Sequence, residues 1–141
     1  MRAIALCLLQ HNNRLLLQEF WHEFEQYTYY RPPGGGIEHG ERAEQAVRRE
    51  MREELDTELE DVRLLEVFEN LFRYGERQHH EIVFLFGARL VGERLLANDR
   101  IAINENGNLR TGVWMPIPRL RRQEVVLYPE ALRNRLLAGC L

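Results

Sequence analysis

Lysine is absent from this chain of 141 residues, so all 19 of its basic side chains are arginine. Against them stand 22 acidic residues, for a formal net charge of -3. A near-neutral, slightly acidic chain lacks the broad basic face that holds a protein on nucleic acid, which argues against a nucleic-acid partner. Aspartate is scarce as well, represented by Asp56, Asp61 and Asp99, so the acidic side is almost wholly glutamate. The two cysteines, Cys7 and Cys140, lie near opposite ends with no CxxC or Cys/His spacing. That argues against a disulfide framework and against a structural zinc site. No apolar run approaches the ~20 residues of a membrane span. The run Ala3 to Leu9 lacks the small-residue cleavage pattern of a signal peptide, so the expected compartment is the cytoplasm. Internal repeats and low-complexity linkers are missing too.

What remains is an ordinary globular balance, 45% hydrophobic and 29% charged, long enough to build one core without staples. One domain over residues 1–141 is expected. Residues 3–9 form a continuous apolar run, His11-Asn12-Asn13-Arg14 signals a turn, and Leu15 to Leu17 follows. This predicts a β-hairpin whose first strand is buried on both faces, with Cys7 a small core residue. Residues 20–31 lack clean periodicity and read as a loop leading into a short strand at Tyr29 to Arg31. Pro32-Pro33-Gly34-Gly35-Gly36 suits neither a helix nor a central strand. From Arg42 to Leu55 the period turns helical, with Ala43, Ala46, Val47, Met51 and Leu55 on one stripe.

Two longer strands are expected over residues 62–73 and 79–91, around a turn at Gly75-Glu76. The second is apolar at successive positions from Ile82 to Phe86, as in a strand central to its sheet. Asn98 to Gly107 reads as a loop, Thr111 to Pro116 as a strand, and a final helix is expected near Pro129. The order β, β, β, α, β, β, β, α predicts an α/β domain with a mixed sheet.

The chemistry lies in one segment, GGIEHGERAEQAVRREMREELDT, residues 35–57. Glu50, Glu53 and Glu54 stand at i, i+3 and i+4, which places three carboxylates within one turn. At 100° per residue Glu50 and Glu54 fall beside Val47 and Ala46, so the cluster borders the core. Like charges at this spacing cost about 0.2–0.5 kcal/mol per pair, more where water is excluded. Arg49 can reach Glu53 at i+4, while Arg48 and Arg52 project away. A hard divalent cation offsets the repulsion best, and carboxylate oxygens suit Mg²⁺ or Mn²⁺. Most Glu/Arg-rich helices are simply solvated faces. The preceding glycine run shifts that balance, because backbone N–H groups of Gly34 and Gly36 ahead of a helix N-terminus suit phosphate oxygens.

The segment resembles the Nudix box, G-x5-E-x7-R-E-U-x-E-E-x-G-U, where U is a bulky aliphatic residue. Gly35, Glu41, Arg49, Glu50, Glu53 and Glu54 match its fixed letters, and Met51 takes the first U. Asp56 departs from the glycine and Thr57 from the last aliphatic. Glycine there would serve a left-handed helix end, and aspartate tolerates that conformation better than most residues. Pro33-Gly34 is similar to the Pro-Gly-Gly that commonly precedes the box, and Trp114 before Pro116 to a tryptophan on a late strand. The resemblance implies an α/β/α sandwich around a mixed β-sheet.

It also implies a pyrophosphohydrolase that cleaves the phosphoanhydride of a nucleoside diphosphate linked to another moiety. The substrate would be a nucleoside triphosphate, ADP-ribose, a dinucleoside polyphosphate or a nucleotide sugar. Glu50, Glu53 and Glu54 would ligate the cation, Mg²⁺ with Mn²⁺ as a substitute, joined by the Gly35 carbonyl. Glu53, oriented by Arg49, is the first candidate for general base, and Glu105 in the NENGN stretch is the alternative. Glu41 is expected to support the loop. Arg31 could clamp a phosphate, and Tyr30, with Phe20, Trp21, Tyr27 and Tyr29, could stack a nucleobase. His79, His80 and Glu81 read as strand-end polar residues, since neighbours on a strand face opposite ways. Two other readings stay open: a catalytically silent nucleotide sensor, and a hydrolase of RNA 5′ ends. Dimers are common in that family, which leaves a homodimer open.

Overall fold

In the computed structural model, which describes residues 1–139, a mixed β-sheet lies between one helix and a pair of shorter ones. Cys140 lies outside the described residues. Strands β1 (Arg2–His11) and β2 (Arg14–His22) form the expected hairpin. Asn12 and Asn13 turn it with φ of 49° and 59°, the left-handed pair that a tight hairpin needs. β1 is buried on both faces by strict alternation. Ala5, Cys7 and Leu9 enter one core layer, and Ile4, Leu6 and Leu8 enter the other.

The sheet runs β5 (Leu59–Tyr74), β6 (Arg77–Leu90), β1, β2, β3 (Tyr27–Arg31), β9 (Val126–Leu127). β4 (Gly34–Gly36) adds to β1, β8 (Asn108–Pro116) to β2, and β7 (Arg100–Glu105) to β8. β1 and β6 are parallel and the other contacts of β1 antiparallel, so the sheet is mixed. β6 lies between β1 and β5, the inner position its apolar run predicted. β1 and β2 pair only at Gln10↔Leu15 and His11↔Arg14. Beyond that the two strands part. β1 turns to β4 and β6, β2 turns to β3 and β8, and the cleft described below opens where they separate.

Helix α1 (Ala43–Leu55) lays Ala46, Val47, Met51 and Leu55 on the Ala5, Cys7 and Leu9 side of the sheet. On the other side α2 (Ile117–Arg121) and α3 (Glu130–Leu137) bury Ile117, Leu120, Leu132 and Leu136 against Leu6, Leu8 and Leu15. This is the α/β/α sandwich that the resemblance implied. No described helix is long and apolar enough to cross a membrane.

Four expectations are corrected. Residues 20–22 belong to β2 and Tyr27 to Arg31 form β3, so the loop shrinks to residues 23–26. The aromatic residues there take the extended form they favour. Gly34–Gly36 is a strand, because bare glycines let its backbone close on β1: a Cβ on Gly34 would meet the Ala5 carbonyl oxygen at 2.0 Å. The glycine run therefore does not lead directly into the α1 N-terminus, where the Arg42 N–H donates to Gln45 Oε1 at 2.8 Å. Finally, residues 100–105 are strand β7, not loop, hairpinned to β8 through Asn106-Gly107 at φ of 50° and 86°. That Asn-Gly pair was the signal for it. Helix α2 was hidden by prolines at 116 and 118, which here flank and start the helix.

Candidate active site

Arg49 is the centre of the site. Its Nε and Nη2 donate to the two oxygens of Glu41 at 2.8 and 3.0 Å, a bidentate pair. Nη2 also donates to the Gly36 carbonyl at 2.9 Å, and Nη1 to Glu50 Oε1 at 2.9 Å and Glu53 Oε2 at 3.3 Å. One guanidinium thus ties the glycine strand, the loop before α1 and two carboxylates of α1 together. The Arg49 hydrogen bonds hold the Glu41 carboxyl below the usual carboxylate range, and Glu41 in turn raises the Arg49 pKa. Glu41 Oε1 also accepts from the Glu38 N–H at 3.1 Å, so it braces the loop as expected.

The three box carboxylates have different environments. Glu53 is mostly exposed, with 56% of its side chain accessible, whereas the Glu50 side chain is 14% accessible and faces the glycine strand. A Cβ on Gly35 would fall 2.5 Å from Glu50 Oε1, so a larger residue there must push that carboxylate aside. Glu54 is 5% exposed, and neither of its oxygens has a hydrogen-bond partner. Burial, then the charge of Glu50, pushes its pKa up to about 9. The Gly34 amide is near enough to oppose this shift but lies outside hydrogen-bonding geometry. Cys7, on the core side, is raised to about 12 by burial and then by the Glu54 charge.

Glu105 lies at the end of β7, where Gln18 Nε2 donates to its Oε2 at 2.7 Å. It lines the same cleft as Gly34, Gly35 and Arg31, a space of about 150 Å³, and its charge acts on Glu54. Glu81 and Arg2 line this cleft too. Arg2 stands over Gly36, where a Cβ would meet its Nη2 at 2.8 Å. The sequence offered no pattern for Arg2 or Gln18, because both enter the cleft through strand pairing alone.

Arg31 also borders a second space, an aromatic cavity of about 310 Å³ walled by His22, Tyr27, Tyr29, Phe72, Tyr74 and Tyr128. Phe20 stacks on Tyr29 with ring centroids 5.2 Å apart. The Tyr27 and Tyr128 hydroxyls share a hydrogen bond of 2.7 Å, and burial raises the pKa values of Tyr27 and Tyr29. Strand alternation sorts the expected aromatic residues. Tyr27 and Tyr29 share the Arg31 face, while Tyr30 faces the other core layer and donates to Glu19 at 2.8 Å. Trp21 is exposed on β2. His79 stacks on Phe72 and His80 pairs with Glu69. Trp114 is a core residue whose Nε1 donates to the Leu95 carbonyl.

Among the described residues no three His, Cys, Asp or Glu side chains converge into a ready-made metal site. Arg49 draws Glu50 and Glu53 to itself. The donor set nevertheless fits a hard cation, because the buried, unpartnered Glu54 oxygens beside Glu50 lack a positive partner.

The family model described as the NUDIX domain matches residues 1–134. Among solved structures the chain is similar to a NUDIX hydrolase from Nitrosomonas europaea, at 16% identity and a TM-score of 0.68, over 97% of this chain and 86% of that one. It is similar to a MutT NUDIX hydrolase from Burkholderia pseudomallei, at 24% identity and a TM-score of 0.67, over 96% and 95%. A mutator MutT protein from Bacillus halodurans matches at 18% identity and a TM-score of 0.65, over 96% and 80%. At these identities the structural likeness shows the fold alone. No curated protein matches the sequence. The family match over nearly the whole chain agrees with the box in residues 35–57, and the chain belongs to the Nudix family, hydrolases of pyrophosphate bonds that generally use divalent cations and act on small nucleotides.

Proposed function

We propose that this protein hydrolyses the pyrophosphate bond of a small nucleotide with Mg²⁺, Mn²⁺ serving as a substitute. The observation that carries this reading is Glu54, a buried carboxylate with two unpartnered oxygens set beside Glu50 at the glycine strand. Glu50, Glu53, Glu54 and the Gly35 carbonyl would hold the cation. When bound, the cation would supply Lewis acidity toward the phosphate oxygens and the water.

The chain does the rest. Glu53, exposed to solvent and aligned by Arg49, takes the proton of the attacking water as general base. Glu105 is the second candidate, favoured by its place across the cleft and by the Gln18 hydrogen bond that aims it. Arg31 binds phosphate with its fork of donors, helped by the backbone of Gly34 and Gly36. The aromatic cavity beside Arg31 receives the nucleoside, with Tyr29 and Tyr27 as stacking surfaces. A nucleotide substrate supports a cytoplasmic setting, and the continuous sheet supports reading residues 1–141 as one domain.

The test is a product screen with Mg²⁺ over nucleoside triphosphates, ADP-ribose, dinucleoside polyphosphates, nucleotide sugars and 5′-triphosphate RNA. Metal-dependent cleavage of one class is expected, reduced by orders of magnitude in Glu53→Gln. If Glu53→Gln keeps its rate and Glu105→Gln loses it, the base is Glu105. Silence across the panel from a folded, Mg²⁺-binding protein would refute hydrolysis and leave a nucleotide sensor.

A further inference from the structure

Arg31 and Glu81 lie outside the 35–57 segment and come from different parts of the sheet. Arg31 ends β3, while Glu81 on β6 is paired across the strands with Asn70 on β5. Glu81 is only 7% exposed, and its Oε1 accepts from both Asn70 Nδ2 at 3.2 Å and Arg31 Nη2 at 3.5 Å. A nearly buried carboxylate is costly unless it is hydrogen-bonded and its charge is matched. Packing alone gives no reason for one at the head of the apolar run Ile82 to Phe86.

The placement of the three residues supplies a reason. Asn70 lines the aromatic cavity, Glu81 the carboxylate cleft, and Arg31 both. A guanidinium carries five N–H donors. That of Arg31 makes one long hydrogen bond to the described residues, to Glu81. Its remaining donors are available to a ligand that crosses from one space to the other.

We propose that Glu81, anchored by Asn70, is a positioning residue that holds Arg31 at the boundary between cavity and cleft, where Arg31 grips the phosphate next to the nucleoside. This rests on the nucleotide reading of the site and adds how recognition of the ring is joined to recognition of the phosphate. Removing the Glu81 charge has opposite consequences in the two available accounts. If Glu81 is merely a nearby anion, its neutralisation strengthens phosphate binding, since like charges repel. If it positions Arg31, neutralisation weakens phosphate binding and leaves the ring contacts alone.

Nucleoside monophosphates are suitable probes because they contain no pyrophosphate bond to cleave. AMP, GMP, CMP and UMP are titrated calorimetrically into the full chain with Mg²⁺ present, followed by the nucleoside of the tightest one. Glu81→Gln should weaken the monophosphate about tenfold or more while its nucleoside stays within about twofold. In an Arg31→Lys background the same change should add less than about twofold, because two residues acting through one contact are not additive. Asn70→Leu, which removes the anchor and keeps the Glu81 charge, should weaken the monophosphate in the same direction and serves if Glu81→Gln does not fold. Unchanged or tighter monophosphate binding in folded Glu81→Gln, or additive losses in the double variant, would overturn the positioning role alone. A wild-type protein that binds none of the four would overturn the nucleotide reading itself.

Discussion

Glu50 lies against the α-carbon of Gly35 so closely that a Cβ there would stand 2.6 Å from its carboxyl carbon. The backbone of Gly35 does not require a positive φ, so Gly35→Ala tests the contact and not the chain's conformation. The methyl must push the Glu50 carboxylate aside, which disturbs the hydrogen bond it accepts from Arg49. The displaced atoms end a flexible side chain, so the stability cost should stay below the ~1–3 kcal/mol of overpacking a rigid core. The larger effect should be on turnover with Mg²⁺, expected to fall about tenfold or more, which is ~1.4 kcal/mol of barrier. Paired kinetics and thermal melts check it, and full activity would show that Glu50 can move without consequence.

Arg49 makes its contacts through a planar fork, which an ammonium group cannot reproduce. Arg49→Lys should lose the bidentate grip on Glu41 and at least one of the contacts to Glu50 and the Gly36 carbonyl. Hydrogen bonds to charged groups contribute about 1.5–3 kcal/mol each when partly buried, so a destabilisation on that order is expected. Denaturant unfolding measures it. A variant as stable as the wild type would mean the cluster is held by the helix and the glycine strand alone.

Glu54 makes metal-free stability depend on pH. Its folded pKa of about 9 lies above the ordinary 4.5. Between those values the folded chain keeps a proton that the unfolded chain releases, so stability falls as pH rises through that window and levels off above it. Glu54→Gln removes the titration. In the presence of a chelator the variant should melt above the wild type at pH 8, with the gap closing toward pH 5. Mg²⁺ should raise the Tm of the wild type and leave that of the variant unchanged. Equal melting temperatures at every pH would show that the carboxylate is solvated.

Asp56 ends α1 at φ 51° and ψ 48°, the left-handed conformation that most residues avoid. Its N–H donates to the Arg52 carbonyl, and Arg94 caps the Leu55 and Asp56 carbonyls. These are all backbone groups of the helix end, and glycine retains them. Asp56→Gly should therefore be neutral or stabilising by up to about 1 kcal/mol, with activity unchanged. A clear loss of activity would give the Asp56 carboxylate a role beyond ending the helix.

Much of the site was legible because it sits within residues 35–57, where helical spacing alone places Glu50, Glu53 and Glu54 on one side of α1. The same periodicity indicated that Glu54 borders the core, and the structure buries it. The Gly-rich stretch was harder to read. Composition marks Gly34–Gly36 as unsuited to a central strand, yet β1 and Glu50 occupy the space its missing side chains leave. Residues 100–105 read as loop from sequence because Ile101 and Ile103 are the strand's only alternating apolar pair, too short a pattern to mark it. Their pairing with β8 supplies the order.

The mixed α/β class and the carboxylate helix are written in local spacing and hydrophobic period, and the family and its layered sandwich follow from the resemblance of residues 35–57 to the Nudix box. Which distant residues share the candidate site is set by long-range strand pairing. Glu105, Gln18, Arg31 and Glu81 meet because β1 and β2 separate after two residue pairs and each recruits new partners. Strand pairing also decides that Tyr29 faces the cavity while Tyr30 faces the core, since the register of β3 on β2 selects the face. A shift of one residue would exchange them, and register depends on long-range pairing that no local pattern records.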